Sequence, residues 1–325
     1  MSSLTSCDRL GLGLVVAAMI ANCAAAPASA ETFVVPPVSF VTLGTNSGAL
    51  PNPDRMQPAN VLLSGDHAIL IDVGDGAAAQ LSKVGVSLGQ VDAVLISHHH
   101  FDHTGGLFAF MSQRFQVLVK GSLHIYGPPG TEAMVGALCN AIKVGQHNSD
   151  LIAYGGATPC TDVIVTDLSN GGRFSIGDVK ITVAANSHYT AFPSKPPALS
   201  LSYRFDTHER SIVYTGDTGP SANIERLSEG ADLLVAEIMD PDIAIAEIVT
   251  KAPNLPEAQK VKVEAHFRLD HLSPIEVAAM AKRAGVKGLV LTHNALADDD
   301  LPSAQQKISH IYDGVVVFAR DLDRF

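Results

Sequence analysis

A layered α/β domain is what this 325-residue sequence predicts, on three observations. Short, apolar, β-branched runs recur along the chain. Segments of helical periodicity are interspersed among them. No Pro/Gly/Ser-rich linker separates one group from the next. Hydrophobic residues make up 46% of the chain, enough for a sizeable core. The length suits one large domain or two small ones, and the missing linker favours a single domain over residues 31–325.

The first thirty residues differ in kind. Arg9 precedes an apolar stretch from Leu10 to Ile20, and Ala28-Ser29-Ala30 forms an A-x-A cleavage site before Glu31. This reads as a secretory signal peptide, too short and too rich in small residues for a membrane anchor. A lipoprotein reading through Cys23 is weaker, because Asn22 is a poor residue before a lipidated cysteine. The mature chain is expected to start near Glu31, in a periplasm or beyond, with no membrane partner after cleavage. No later stretch is long and uncharged enough to span a bilayer.

Strand-like segments then fall at 38–43, 61–64, 68–72, 92–97, 116–119, 123–126, 179–185, 199–205, 211–215, 232–237, 287–292 and 314–318. Each is short, β-branched and bounded by polar or turn residues. Helical patterns fall near 76–84, 105–112, 131–142, 221–229 and 274–284. Before the last of these, Ser273, Pro274 and Glu276 form a helix-start signature, with a carboxyl three residues after the cap.

Two of four cysteines, Cys7 and Cys23, leave with the signal. Cys139 and Cys160 remain, and an oxidising compartment favours a disulfide between them over two buried thiols. The signal carries only Asp8 and Arg9, so the mature chain keeps the net charge of −11. Acidity keeps a protein soluble and repels polyanions. No Lys/Arg run occurs, which argues against a nucleic-acid groove.

The chemistry concentrates at Ser97-His98-His99-His100-Phe101-Asp102-His103, directly after the apolar run 91–96. In an extended segment His98 and His100 share one face and His99 takes the other. Asp102 and His103 follow where a strand gives way to a loop or helix start. Imidazoles and an acid crowded at the end of a buried strand are costly unless paired or coordinated. Divalent metal binding is therefore the reading, with a structural histidine cluster as the alternative.

Four further motifs follow in order: Asp72 in a Gly-rich turn after Leu70-Ile71, His188 after Ala184-Ala185, Asp217 in Tyr214-Thr215-Gly216-Asp217, and His293 after Leu289-Val290-Leu291-Thr292. With His98-x-His100-x-Asp102-His103, this series resembles the metallo-β-lactamase fold superfamily from about residue 38 to the C-terminus. The resemblance implies a four-layer αββα sandwich of two similar halves meeting near His188, with metals at one edge. It implies that His98, His100 and His188 hold one metal, that Asp102, His103 and His293 hold a second, and that Asp217 bridges them. Two divalent ions, zinc first and manganese or iron as alternatives, would then activate a bridging hydroxide as nucleophile. Asp72 is a candidate to orient a ligand histidine, with an ordinary turn aspartate as the alternative. His67, His124, His147, His208 and His310 sit in no constellation and read as surface residues. Over the family's frame, Gly127–Cys160 and the proline-containing Asp240–Asp270 look like additions that could act as lids or substrate walls.

The run His271-Leu272-Ser273-Pro274 resembles the ribonuclease Z and arylsulfatase-like branch. In ribonuclease Z the matching histidine pairs with a glutamate after a buried strand, and Glu237 stands in that place here. Such a pair can protonate a leaving oxygen; a helix-capping histidine is the alternative. Ile238-Met239 replace that family's Thr-Phe. Asn294-Ala295-Leu296-Ala297, followed by three aspartates, replace its Ser-Ala-Arg stretch and the phosphate-binding arginine. Only Lys143, Arg173 and Lys180 are basic between residues 121 and 187, few for a tRNA-gripping arm.

The expectation is therefore an exported dinuclear metal-dependent hydrolase of small anionic esters, arylsulfatase-like, using His271, Glu237, Asp102 and Asp217. It is expected to take no nucleic acid as partner. A phosphodiesterase is the first alternative, then a lactonase or β-lactamase, then a non-catalytic metal-binding protein. The sequence leaves a homo-oligomer open.

Overall fold

The computed structural model describes residues 38–325 apart from 49, 148–156 and 196. The expected signal peptide, the middle of the segment after residue 147 and the side chain of His147 lie outside the described residues. One sheet takes up β1 (Val38–Gly44), β2 (Ala59–Ser64), β3 (His67–Val73), β4 (Val91–Leu95), β5 (Leu123–Gly127) and β6 (Val163–Asp167), in chain order. The other takes up β7 (Arg173–Ile176), β8 (Val179–Ala185), β9 (Leu201–Asp206), β10 (Ser211–Tyr214), β11 (Leu233–Ile238), β12 (Gly288–Asn294) and β13 (Val315–Phe318), again in chain order. Each sheet opens as an antiparallel meander and turns parallel, after β3 in the first and after β10 in the second.

Parallel neighbours need crossovers, and helices supply them. In the first half these are α1 (Ala77–Lys83), the short α2 (Phe101–Thr104), α3 (Leu107–Gln116) and α4 (Thr131–His147). In the second they are α5 (Ala222–Leu227), α6 (Pro241–Lys251), α7 (Glu257–Leu269), α8 (Pro274–Ala284) and α9 (Leu301–Ser309). The start of α8 is as the sequence predicts. Ser273 accepts from the Glu276 amide, Glu276 reaches back to the Ser273 amide, and Gly285 closes the helix at φ 65°.

Period two sorts the strand residues between layers. In β3, Ile69 and Ile71 face a central cluster with Phe40, Leu95, Tyr203 and Tyr214. Ala68 and Leu70 turn the other way, against Leu81, Phe110 and Ile142 of the helices. In β12, Val290 points to the central cluster, while Leu289 and Leu291 meet Ile224, Val277 and Met280 outside. Burial on both faces is why these strands read as continuous apolar runs. The result is the four-layer αββα sandwich. Its halves change over at residues 168–172, between β6 and β7, ahead of the expected His188. The C-terminal tail ties the halves together, since Phe40 and Phe325 exchange backbone hydrogen bonds of 3.0 and 2.9 Å.

Several elements differ from expectation where burial is thin. The strand expected at 116–119 is instead the end of α3 and a turn with Leu118 at φ 52°. β6, an edge strand with no buried residue, has too little apolar contrast to be seen in the sequence. The same holds for α7, which buries none of its residues. The strand β7 and the helices α6 and α9 were also unexpected. Cys139 and Cys160 are joined, with Cα atoms 6.0 Å apart and a separation of 21 positions in the sequence. In the chain-entropy account, closing such a loop contributes roughly 3 kcal/mol. Among the described residues, no helix is long and apolar enough to cross a membrane.

Candidate metal centre

The site is assembled at the strand ends, and Asp72 is its anchor. The residue is fully buried at the end of β3, in the left-handed region at φ 55°. A non-glycine residue persists there only when its surroundings hold it. Here Oδ1 accepts from the Ser97 amide at 2.7 Å. Oδ2 accepts from the Ser97 hydroxyl and the Tyr214 hydroxyl, both at 2.8 Å, and lies 2.8 Å from His103 Nδ1. Ser97 Oγ in turn lies 3.0 Å from His98 Nδ1. One carboxylate thus orients two imidazoles, and each presents Nε2 to the centre. The ligand-orienting reading of Asp72, rather than an ordinary turn aspartate, is what this geometry supports.

His99 takes the opposite face, 2.9 Å from the Thr131 hydroxyl, as alternation requires. Beyond it α2 lifts Asp102 and His103 towards the centre. This helix can close on the β3 turn only because residue 106 is glycine; a Cβ there would lie 2.2 Å from the Gly74 carbonyl oxygen. His188 is held from outside, with Nδ1 3.0 Å from the Asp270 carbonyl oxygen. Asp217 follows Gly216, whose φ of 59° and whose contact with Ser97 leave no room for a side chain. His293 also adopts a left-handed conformation, φ 44°, beside a register shift between β11 and β12.

Two groups of donors result, His98, His100, His188 and Asp217 in one, and Asp102, His103 and His293 in the other. Asp217 reaches both. Its Oδ2 is 3.9 Å from the Nε2 atoms of His98 and His188 and 3.4 Å from that of His293, and its Oδ1 is 3.2 Å from His103 Nε2. Buried His98 Nε2, His103 Nε2 and Asp217 Oδ1 make no hydrogen bond. Leaving such atoms unpartnered costs ~1–3 kcal/mol each, and a divalent cation is the partner that their geometry and chemistry fit. Burial, reinforced by neighbouring imidazoles, lowers His98, and it lowers His188 to about 3. Both shifts favour the neutral imidazole, the form that coordinates a metal; His188 Nε2 lies 3.2 Å from His100 Nδ1. All the donors are nitrogen or oxygen, a set that suits several divalent metals.

A second pair stands beside these groups. His271 Nδ1 lies 2.7 Å from Glu237 Oε2, while Glu237 Oε1 accepts from the Thr218 amide at 2.5 Å. Glu237 also lies near Asp217 and His293, but both its oxygens are already engaged. Burial opposes charge on His271, but the Glu237 carboxylate outweighs it and lifts the imidazole to about 9. Burial raises Glu237 as well; the short contact favours the ion pair as the state of these two groups. His271 shares a cavity of about 290 Å³ with His100, Asp102, Asp217 and His293.

Sequence reasoning overlooked three neighbours. His266 of α7 lies 3.4 Å from His271 through their Nε2 atoms, with its Nδ1 3.0 Å from Asp270 Oδ2. The His266-x-x-x-Asp270 spacing on a helix was the available signal. Tyr189 packs its ring 5.0–6.1 Å from those of His188, His100 and His98, and its place next to His188 was the clue. Arg55, from the loop after β1, donates to the Asn294 carbonyl at 3.0 Å, one residue past His293. A cation therefore stands near the last ligand candidate although the arginine expected after it is missing.

A family profile described as "Beta-lactamase superfamily domain" matches residues 67–294. The ribonuclease Z of Mycobacterium avium (strain 104) is 31% identical over 264 residues, 79% of this chain and 85% of that protein. Two solved structures share the fold. The metallo-beta-lactamase fold protein YhfI from Bacillus subtilis superposes with a TM-score of 0.63 at 21% identity, over 89% of this chain and 99% of that one. Human tRNase Z, short form, gives 0.60 at 22% identity, over 88% and 98%.

Two expectations are corrected by the ribonuclease Z relationship. The preference for small anionic esters of the arylsulfatase type is overturned, and so is the exclusion of nucleic acid as a partner. Both rested on the net charge of −11, the scarcity of lysine and arginine, the missing arginine after His293 and the expected export away from tRNA. Whole-chain charge is a poor guide to a local field, because divalent ions in a site are often its largest charges.

The Glu237–His271 pair generates a pH prediction for metal-free protein. A group whose folded pKa is raised stabilises the fold fully below its unfolded value, 6.5, and loses that contribution as pH rises through about 9. The stability advantage of wild type over His271→Ala, followed by thermal melts in chelator, should shrink across that window. A gap that stays constant from pH 6 to 10 would show that the pair carries no charge.

Proposed function

Because the chain belongs to the metallo-β-lactamase superfamily and has a ribonuclease Z relative matching most of both sequences, we propose that it is a metal-dependent phosphodiesterase acting on RNA. The observation that carries this reading is the Glu237–His271 pair, whose His271 opens on the same cavity as members of the two donor groups. A hydrolase for carbonyl substrates with good leaving groups has little use for such an acid; an RNA diester, whose leaving alkoxide is poor, needs it.

His98, His100 and His188 would hold one divalent ion and Asp102, His103 and His293 a second, with Asp217 between them. Two such ions, zinc first among the candidates, supply a nucleophile from water and a Lewis acid for phosphoryl oxygens. The protein's own groups do the rest. Asp72 fixes His98 and His103 so that their Nε2 atoms face the centre. Glu237 fixes His271 through Nδ1 and favours the imidazolium, leaving Nε2 to give its proton to the departing oxygen. The Asp270 carbonyl fixes His188. Arg55 adds positive charge one residue past His293, at the Asn294 carbonyl.

The signal-like first thirty residues lead us to propose also that residues 31–325 form one exported hydrolase domain. The RNA encountered would then be outside the cytoplasm. The intact mass of protein recovered from a periplasmic or culture fraction should match a chain beginning at Glu31; a mass retaining residues 1–30 would refute export by cleavage.

The catalytic reading is tested with protein loaded with zinc or manganese. It should cleave an RNA oligonucleotide and bis-p-nitrophenyl phosphate. His271→Ala should cost ~10²–10⁴-fold on RNA and far less on the nitrophenyl diester, whose leaving group departs without a proton. Equal losses on both substrates would remove His271 from the acid role, and no RNA cleavage by wild type would refute the substrate.

A further inference from the structure

We propose that Phe101 and Phe267 form a stacking platform for unpaired bases flanking the scissile phosphate, so that the substrate is single-stranded RNA. The inference rests on the RNA phosphodiesterase reading and narrows it. Phe101 stands between His100 and Asp102, two of the proposed metal ligands, and the residue is 86% exposed. Leaving a phenylalanine in water forfeits roughly 1.5–3 kcal/mol of burial. Phe101 belongs to none of the three apolar clusters, so its side chain does no packing that would explain an aromatic residue there. It lines the same cavity as Asp217, His271 and His293.

Phe267 lines that cavity from a different element. It lies on α7, which buries no residue of its own, with its ring centroid 5.7 Å from that of His266 and 6.4 Å from that of His271. The grip of Asp270 on His266 and on the Ala191 amide, at 3.0 and 2.9 Å, fixes the end of this helix against the His188 loop. The helix therefore presents an aromatic side chain to the centre from a set position.

The occupant follows from chemistry. A phosphodiester placed at the donor groups brings its flanking nucleosides against the cavity wall, and that wall offers two phenyl rings. Base–aromatic stacking is worth ~1–3 kcal/mol per base and tolerates any sequence, because every base has a π-face. Stacking on these rings adds affinity for RNA that does not depend on neutralising the phosphate backbone. Paired bases have their faces covered by their own neighbours. A cavity of about 290 Å³ lies at the small end of ligand sites, suited to a splayed nucleotide rather than a duplex.

The test pairs protein variants with RNA lacking a base. Metal-loaded wild type, Phe101→Ala, Phe101→Trp and Phe267→Ala are assayed on a strand of fixed cleavage site, on the same strand abasic at the flanking nucleotide, and on the strand annealed to its complement. Metal content is measured in each variant. Phe101→Ala should raise KM about five- to a hundredfold on the intact strand and leave the abasic strand unaffected, with Phe101→Trp restoring binding and the duplex cut poorly by wild type. If Phe101→Ala loses metal, Phe267→Ala, remote from the ligands in sequence, decides by the same comparison. Wild type that cleaves RNA while both alanine variants treat intact and abasic strands alike overturns the platform and spares the phosphodiesterase. Wild type that cleaves no RNA overturns both. Self-association abolished by Phe101→Ala would assign the exposed ring to a second copy of the chain and also overturn the proposal.

Discussion

A carboxylate with no lysine or arginine among its hydrogen-bond partners lies at the bottom of this site. Asp72, fully buried, is held by donors from its own protein: the Ser97 amide and hydroxyl, the Tyr214 hydroxyl and the ring of His103. Hydrogen bonds to a charged acceptor contribute ~1.5–3 kcal/mol each, and removing their common acceptor strands several buried donors at once. Ser97 lies two residues past the end of β4, His103 lies on α2, and Tyr214 ends β10 in the other sheet. Satisfying one buried charge therefore fixes the distance between the two sheets at the edge where the ligand candidates gather. The left-handed backbone at Asp72 is the local strain that this arrangement sustains.

The second half supports the centre by similar means. His293, also left-handed, follows a register shift that turns its ring towards Asp102 and Asp217. Asp270 uses its carbonyl on His188 and its two carboxylate oxygens on His266 and Ala191. The α6–α7 segment is thus joined to the site by hydrogen bonds although α7 contributes little to the core. Strand ends place the donors rigidly, whereas this poorly buried helix supplies a wall that can differ without disturbing them.

The legible parts of the sequence were those with a strong physical period or a costly cluster. Strands buried on both faces, such as β3 and β12, stand out as apolar runs, and the capping box of α8 stands out by residue type. Imidazoles and acids at the end of a buried strand are expensive unless used, so the nine named site residues drew attention before any geometry was known. The structure brings them together, with His271 on Glu237. What escaped notice had no such contrast. β6 and α7 bury no residues, and Arg55 reaches Asn294 from 239 positions away. The error over nucleic acid came in part from treating total charge as a statement about one site. An acidic surface and an electropositive centre coexist readily when divalent ions supply the local charge.

Asp217 is the only one of these donors that spans both groups, so the central claim is most directly tested by counting metal ions. Native mass spectrometry of wild type reconstituted with zinc should show two ions per chain. Asp217→Ala should retain fewer than two under the same conditions, because loss of the shared carboxylate weakens both positions. A wild type that saturates at one ion, or an alanine variant that keeps both, would contradict a dinuclear centre built on this residue.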